Sequence, residues 1–181
     1  MSQASSGYKR STNGLVGAII VSLLFIAVVW GLSRFQQHDP IEAAPTVDYS
    51  ASLAQARAEA PFPVLAPYPV PPGWRATSAT WNGAGPLVSW HLGLLTGEGA
   101  AADYVGLDQG NEITRDFLAA TTRADQPGSP VTIGGDTWDA YTSADGGEAA
   151  LVLERNGVTT IVSGTADESV LQAYAASLSA R

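Results

Sequence analysis

An apolar run near the N-terminus constrains this chain more than any other feature. Residues 14–32, GLVGAIIVSLLFIAVVWGL, are 19 consecutive positions without an ionisable side chain. As a helix rising about 1.5 Å per residue they reach roughly 28 Å, close to the hydrocarbon thickness of a bilayer. Ile19, Ile20 and Val21 are β-branched, but in lipid the backbone must satisfy its own hydrogen bonds, so helix is the expected form. Trp30 stands near the outer end, where an indole prefers the interface. Lys9 and Arg10 precede the run and only Arg34 follows it closely. The positive-inside rule then makes residues 1–13 a cytoplasmic tail. The expectation is a single-pass anchor in the cell membrane, meeting the lipid bilayer through residues 14–32, with all that follows extracytoplasmic. Two other readings compete. Gly31-Leu32-Ser33 has the small-x-small character of a signal-peptide cleavage site, but the run exceeds the roughly 7–15 residues of a typical signal core. A buried core helix would be amphipathic, and this one is apolar all round.

Charge divides at the same place. The 181 residues carry nine Lys and Arg against 17 Asp and Glu, a net −8. All 17 acids lie beyond residue 34 with only six arginines, so the outer part carries −11 and the first 34 residues +3. An acidic surface excludes nucleic acid as a partner, because phosphate recognition needs basic side chains. It also favours partners that are neutral, cationic or bridged by divalent ions. The absence of cysteine excludes disulfides, thiolate metal sites, thiol nucleophiles and a lipidated N-terminal Cys.

Residues 33–47 form a polar tether, containing His38, and residues 48–181 an extracytoplasmic domain. Within it, residues 48–60 have helical composition, an Asp or Ser cap candidate and a stop at Pro61. Residues 61–72 hold six prolines in twelve positions and must be extended. They serve either as a ligand for an aromatic groove or as a rigid lead-in packed by Phe62, Val64, Leu65 and Tyr68. The interleaved apolar residues favour the lead-in. Strands are expected at 74–81, with Trp74, Ala76, Ser78 and Thr80 on one face, and at 87–95 and 104–109. A helix follows at 111–122, facing inward through Ile113, Phe117, Leu118 and Thr121. Strands at 131–133 and 137–143 flank Gly134-Gly135-Asp136, and strands at 149–155 and 158–164 flank Asn156-Gly157. Thr165 with Glu168 reads as a capping box for a last helix with Val170, Leu171, Tyr174 and Leu178 inward. The fold class is therefore α+β: an antiparallel sheet of about six strands with two amphipathic helices on one face. Residues 104–120 and 159–176 share a strand–turn–helix pattern, consistent with a βββα pseudo-repeat.

No local motif carries chemistry. His91 is the only histidine of the domain. Ser89 and His91 share a strand face, but no G-x-S-x-G elbow accompanies them. No metal-ligand spacing appears, and no cofactor is implied. Asp136 with Asp139, or Asp145 with Glu148, would suit calcium only outside any recognised loop pattern, and Asp beside Gly is ordinary turn chemistry. Catalytic residues are therefore expected to be none. Aromatic residues remain: Trp74, Trp81, Trp90 and Trp138, with Tyr104, Tyr141 and Tyr174. They either fill the core or line an apolar cleft, for which Trp81, Trp90, His91 and Trp138 are the candidate residues.

The order of the pieces carries a resemblance. PFPVLAP (61–67), PPGWRATS (71–78), IGGDTWDAY (133–141) and VSGTA (162–166) follow the N-terminal anchor. The chain resembles the actinobacterial single-pass membrane proteins grouped as domain of unknown function 4245. That resemblance implies an envelope protein and transfers no active-site residues. Three expectations follow. The first is a non-catalytic module binding an envelope protein or ligand. The second is a lipid- or glycan-binding carrier using the tryptophan-lined sheet, and the third is an envelope hydrolase using His91 with Ser89 and a carboxylate.

Overall fold

Asn156 and Gly157 both hold positive φ, 53° and 76°, the backbone of a two-residue hairpin turn whose twist matches its strands. The turn sits in a computed structural model that describes residues 45–84, 88–97, 99–111, 117–118 and 122–181. The expected cytoplasmic tail, the apolar run and most of the expected tether lie outside the described residues, as does most of the helix expected at 111–122. Among the described residues no helix is long and apolar enough to cross a membrane.

Along the chain run helix α1 (Ser50–Glu59), β1 (Ala66–Pro67), β2 (Arg75–Asn82), β3 (Ser89–Thr96), a 3-10 turn (Gly99–Ala101) and β4 (Asp103–Gly110). Then come β5 (Gln126–Pro127), β6 (Val131–Ile133), β7 (Asp136–Thr142), β8 (Ala149–Arg155), β9 (Val158–Gly164), helix α2 (Glu168–Ser177) and β10 (Leu178–Ser179). All strand pairings are antiparallel, so the class is α+β. The main sheet has eight strands among the described residues, not six, in the order β2-β3-β4-β9-β8-β7-β5 with β6 also on β7. The excess arises at one edge. β6 pairs with residues 136–138 and β5 with residues 141–142, two short pieces that between them cover the outer side of β7.

β2-β3-β4 and β9-β8-β7 meet through β4 and β9, the strand order a βββα pseudo-repeat would give. The segments after the two third strands break the symmetry. Leu171, Tyr174 and Ala175 of α2 join the large core on one face with Trp90, Leu92, Leu94, Val105, Leu107, Leu151 and Val162. Phe117 and Leu118 join Ala124, Ala150, Val152 and Ile161 on the other. Ile161 and Val162 are sequence neighbours on one strand and so point to opposite faces. The expectation that both helices cover one face is thereby corrected: the sheet is packed on both sides, and its helices α1 and α2 share the side of the large core.

Three local expectations also change. The capping box does not form, because Thr165 Oγ1 accepts from Tyr104 N at 2.9 Å and donates to Asp103 Oδ1. The helix starts instead after Asp167, whose carbonyl accepts from Val170 and Leu171. In the proline-rich segment Phe62, Val64 and Ala66 are buried as a lead-in requires, and residues 66–67 pair with β10. Tyr68, expected to pack, is 67% exposed. Finally, the pairing of β2 with β3 skips Thr77, running Ala76↔Leu94 and then Ser78↔Gly93. This bulge resets the alternation. Trp74 and Ala76 stay on the large-core side and are joined by Ala79 and Trp81, while Ser78 and Thr80 move to the opposite face.

Candidate functional site

The four candidate residues do not share one cleft: Trp81, Trp90 and Trp138 belong to the large-core face, with Trp81 and Trp90 paired in register, and His91 is on the other face. Trp90 is fully buried in the large core and its Nε1 donates to Leu65 O at 3.1 Å. Trp81, at the sheet edge, donates to Glu59 Oε2 at 2.8 Å and so ties α1 to β2. Trp138 is buried and lines a cleft. His91, paired in register between Thr80 and Asp108, stands on the opposite face of the sheet.

The cleft measures about 600 Å³. Its walls are Phe62 and Leu65 of the proline-rich segment, Ile133, Trp138, Leu153 and Val158 of the sheet, and Ala175 and Leu178 at the end of α2. Gln109 lines it too, but its amide is occupied: Oε1 accepts from Leu65 N at 2.9 Å and Nε2 donates to Pro63 O at 3.1 Å. That buried amide helps to fix the proline-rich wall, together with the Trp90 bond to Leu65 O and the pairing of residues 66–67 with β10. At the mouth Arg155 donates twice to Asp136, at 2.9 and 3.2 Å. Asn156 and Thr160 line the cleft as well, and a trough of mixed lining suits a ligand with an apolar body and polar groups.

The other face carries polar chemistry. His91 Nδ1 lies 2.8 Å from Asp108 Oδ1, and His91 Nε2 lies 3.0 Å from Ser78 Oγ. A carboxylate accepts, so in the neutral imidazole Nδ1 carries the proton and Nε2 is left to accept from the Ser78 hydroxyl. Tyr104 lies beside this row. Burial chiefly raises its hydroxyl above the ordinary tyrosine range and the nearby Asp108 charge adds to that, while a hydrogen bond with Ser78 acts in the other direction. The group stays protonated at neutral pH. Gly93 and Gly106 face each other in the ladder beneath. A Cβ at Gly93 would collide with Ser78 Oγ and lie 2.8 Å from Tyr104 Oη, and one at Gly106 would lie 3.1 Å from the Tyr104 ring. Both positions must be bare for the cluster to lie against the sheet. A pocket of about 390 Å³ opens beside it, lined by His91, Tyr104, Asp108, Phe117, Glu148 and Gly164 among others.

The profile of a family described as a protein of unknown function, DUF4245, matches residues 8–178. The chain belongs to the DUF4245 family. No curated protein and no solved structure matches it. The segments that carried the resemblance to DUF4245 map onto the two concavities. PFPVLAP and IGGDTWDAY supply Phe62, Leu65, Ile133, Asp136 and Trp138 to the cleft. VSGTA supplies Ser163, Gly164 and Thr165 to the smaller pocket, and PPGWRATS supplies Ser78, which meets His91 without lining the pocket.

Sequence reasoning placed His91 on a strand but missed Ser78 and Asp108. The serine that meets the imidazole is thirteen residues upstream of it and the carboxylate seventeen downstream, so no local spacing records them. The acidic turn residues are engaged elsewhere. Asp145 accepts from Ser143 Oγ and Gly147 N, bonds that hold its carboxyl below its ordinary range, the Ser143 bond contributing most. Glu148 pairs with Arg123 and Asp136 with Arg155. Among the described residues no group of three His, Asp or Glu side chains is placed to hold a metal ion.

Proposed function

We propose that this DUF4245 protein is a membrane-tethered envelope binding module that holds an uncharged amphiphile in the cleft beside Trp138. The cleft itself carries the reading: a trough of about 600 Å³ that sets Phe62, Leu65, Trp138 and Leu178 beside Asp136, Arg155, Asn156 and Thr160, a mixed lining that suits a molecule with an apolar body and polar groups. The net charge of −11 beyond residue 34 disfavours anionic headgroups, and Asp136 already partners the arginine at the rim. Support for tethering comes from the 19-residue run at 14–32 with Lys9 and Arg10 before it, a run that falls inside the family match.

The test is a fluorescence titration of the full-length chain with an alkyl glycoside below its micelle concentration. A saturable blue shift is expected, lost in Trp138→Phe and blocked by Ala175→Trp, which fills the trough. No saturable change, or an unaltered one in Trp138→Phe, refutes the cleft as the site.

A further inference from the structure

The polar face holds a serine, an imidazole and a carboxylate in one hydrogen-bonded row. Ser78 Oγ meets His91 Nε2 at 3.0 Å and Asp108 Oδ1 meets Nδ1 at 2.8 Å. The order matters more than the distances. A carboxylate on Nδ1 fixes the tautomer that leaves Nε2 free to take a proton from a hydroxyl, as nucleophilic catalysis by serine requires. The three residues come from β2, β3 and β4, so the arrangement leaves no motif in the sequence, and Ser78 reaches this face because the bulge absorbs Thr77 as a surplus residue. Its imidazole is accessible: the His91 side chain is 32% exposed and borders the 390 Å³ pocket with Asp108 and Tyr104, while Ser78 is half-buried and stands off that lining.

We propose that Ser78, His91 and Asp108 form a catalytic triad that hydrolyses small uncharged esters or thioesters. Ser78 Oγ bonds to the acyl carbon as the bond to the leaving oxygen or sulfur breaks. Its proton passes to His91 Nε2 and from there to the leaving group. Water then attacks the acyl-serine ester, giving a proton to Nε2, and the carboxylic acid departs as Ser78 recovers its hydrogen. No electrons are exchanged with any third reactant. Tyr104 Oη, next to Ser78 Oγ over Gly93, is the donor available to the developing oxyanion. Phe117 and Tyr104 give the pocket apolar wall, while Asp108 and Glu148 on its lining repel anionic acyl groups. A short, uncharged acyl donor is the class that fits.

The probe is an alkyl fluorophosphonate, which loses fluoride as serine oxygen bonds to phosphorus. Purified full-length chain is exposed to it and the adduct is located by peptide mass mapping. A single adduct on Ser78 is expected, absent in Ser78→Ala and formed about a hundredfold more slowly in His91→Gln and Asp108→Asn. Four-nitrophenyl acetate hydrolysis should fall by a similar factor in kcat with little change in KM. Folded wild-type chain that takes no adduct on Ser78 from millimolar probe overturns the proposal. Equal labelling of wild type and His91→Gln overturns it as well, since the imidazole would then activate nothing.

Discussion

The two faces of the sheet are built on opposite terms. On one, Trp90, Leu92, Leu94, Val105, Leu107, Leu151 and Val162 are at or near zero exposure beneath α1, α2 and the proline-rich segment. On the other, around β2, β3 and β4, the same strands present Ser78, His91, Gly93, Tyr104, Gly106 and Asp108. The first face holds the domain together by removing apolar surface from water. The second contributes hydrogen bonds that are half wetted and so add little net free energy. A strand that must serve both keeps strict alternation, and the bulge in β2 is where that alternation has been corrected. Around these three strands stability and chemistry are thus separated by the thickness of the sheet, while farther along the second face Leu118, Ala124, Ala150, Val152 and Ile161 form a smaller core of their own.

That division can be broken by experiment, and the largest expected effect is on the packed face. Leu107→Ala, at the middle of the sheet with zero exposure, should cost about 3 kcal/mol or more by urea denaturation. Gly93→Ala comes next. Its Cβ would land on Ser78 Oγ and crowd Tyr104, at a cost of about 1–3 kcal/mol and with complete loss of fluorophosphonate labelling. A stability loss as large as that of Leu107→Ala would show that the polar face is structural after all.

Tyr174→Phe should act in the opposite direction. The Tyr174 ring stacks on Trp74 at 5.6 Å, and its hydroxyl is buried with no hydrogen-bond partner among the described residues. Removing it should stabilise the domain by about 1 kcal/mol, read as a rise in Tm. It should also change alkaline behaviour. Burial, with smaller contributions from Tyr49 and Tyr104, raises the Tyr174 hydroxyl far above its ordinary pKa of 10.0. Above that pH the unfolded chain releases a proton that the folded chain retains, so stability falls as pH rises. Tyr174→Phe removes this part of the fall. The smallest effect belongs to Ser78→Ala, which should move stability by under about 1 kcal/mol while abolishing labelling. An equal loss of stability in Ser78→Ala and Leu107→Ala would erase the distinction between the faces.

Much of the sheet was legible because its turns are chemically explicit. Asn156-Gly157 fixed the β8–β9 hairpin to the residue, and Val131–Ile133 was placed equally well. β5 escaped notice because two residues carry no period, and it is defined only by what β7 offers it. The face that Leu118 covers was illegible for a different reason: an apolar stripe says that a helix packs, not on which side. Of the candidate residues, Trp138 lines the cleft because strand alternation turned it inward, whereas Trp90 used its indole N–H to hold Leu65. Ser78 was assigned to the wrong face by counting in twos through Thr77. Asp108 was invisible, since a register of three strands connects it to His91.

Thr77 has one more consequence. Without it the strand would read Ala76, Ser78, Ala79, Thr80, Trp81 in unbroken alternation, with each side chain on the face it occupies now. The residue is a surplus that the bulge absorbs, held by its hydroxyl against Gly93 O. Deleting Thr77 therefore preserves parity, whereas deleting a residue from Ala79 onward exchanges the faces of everything between the cut and Asn82. Length variation in this strand is permitted at one address.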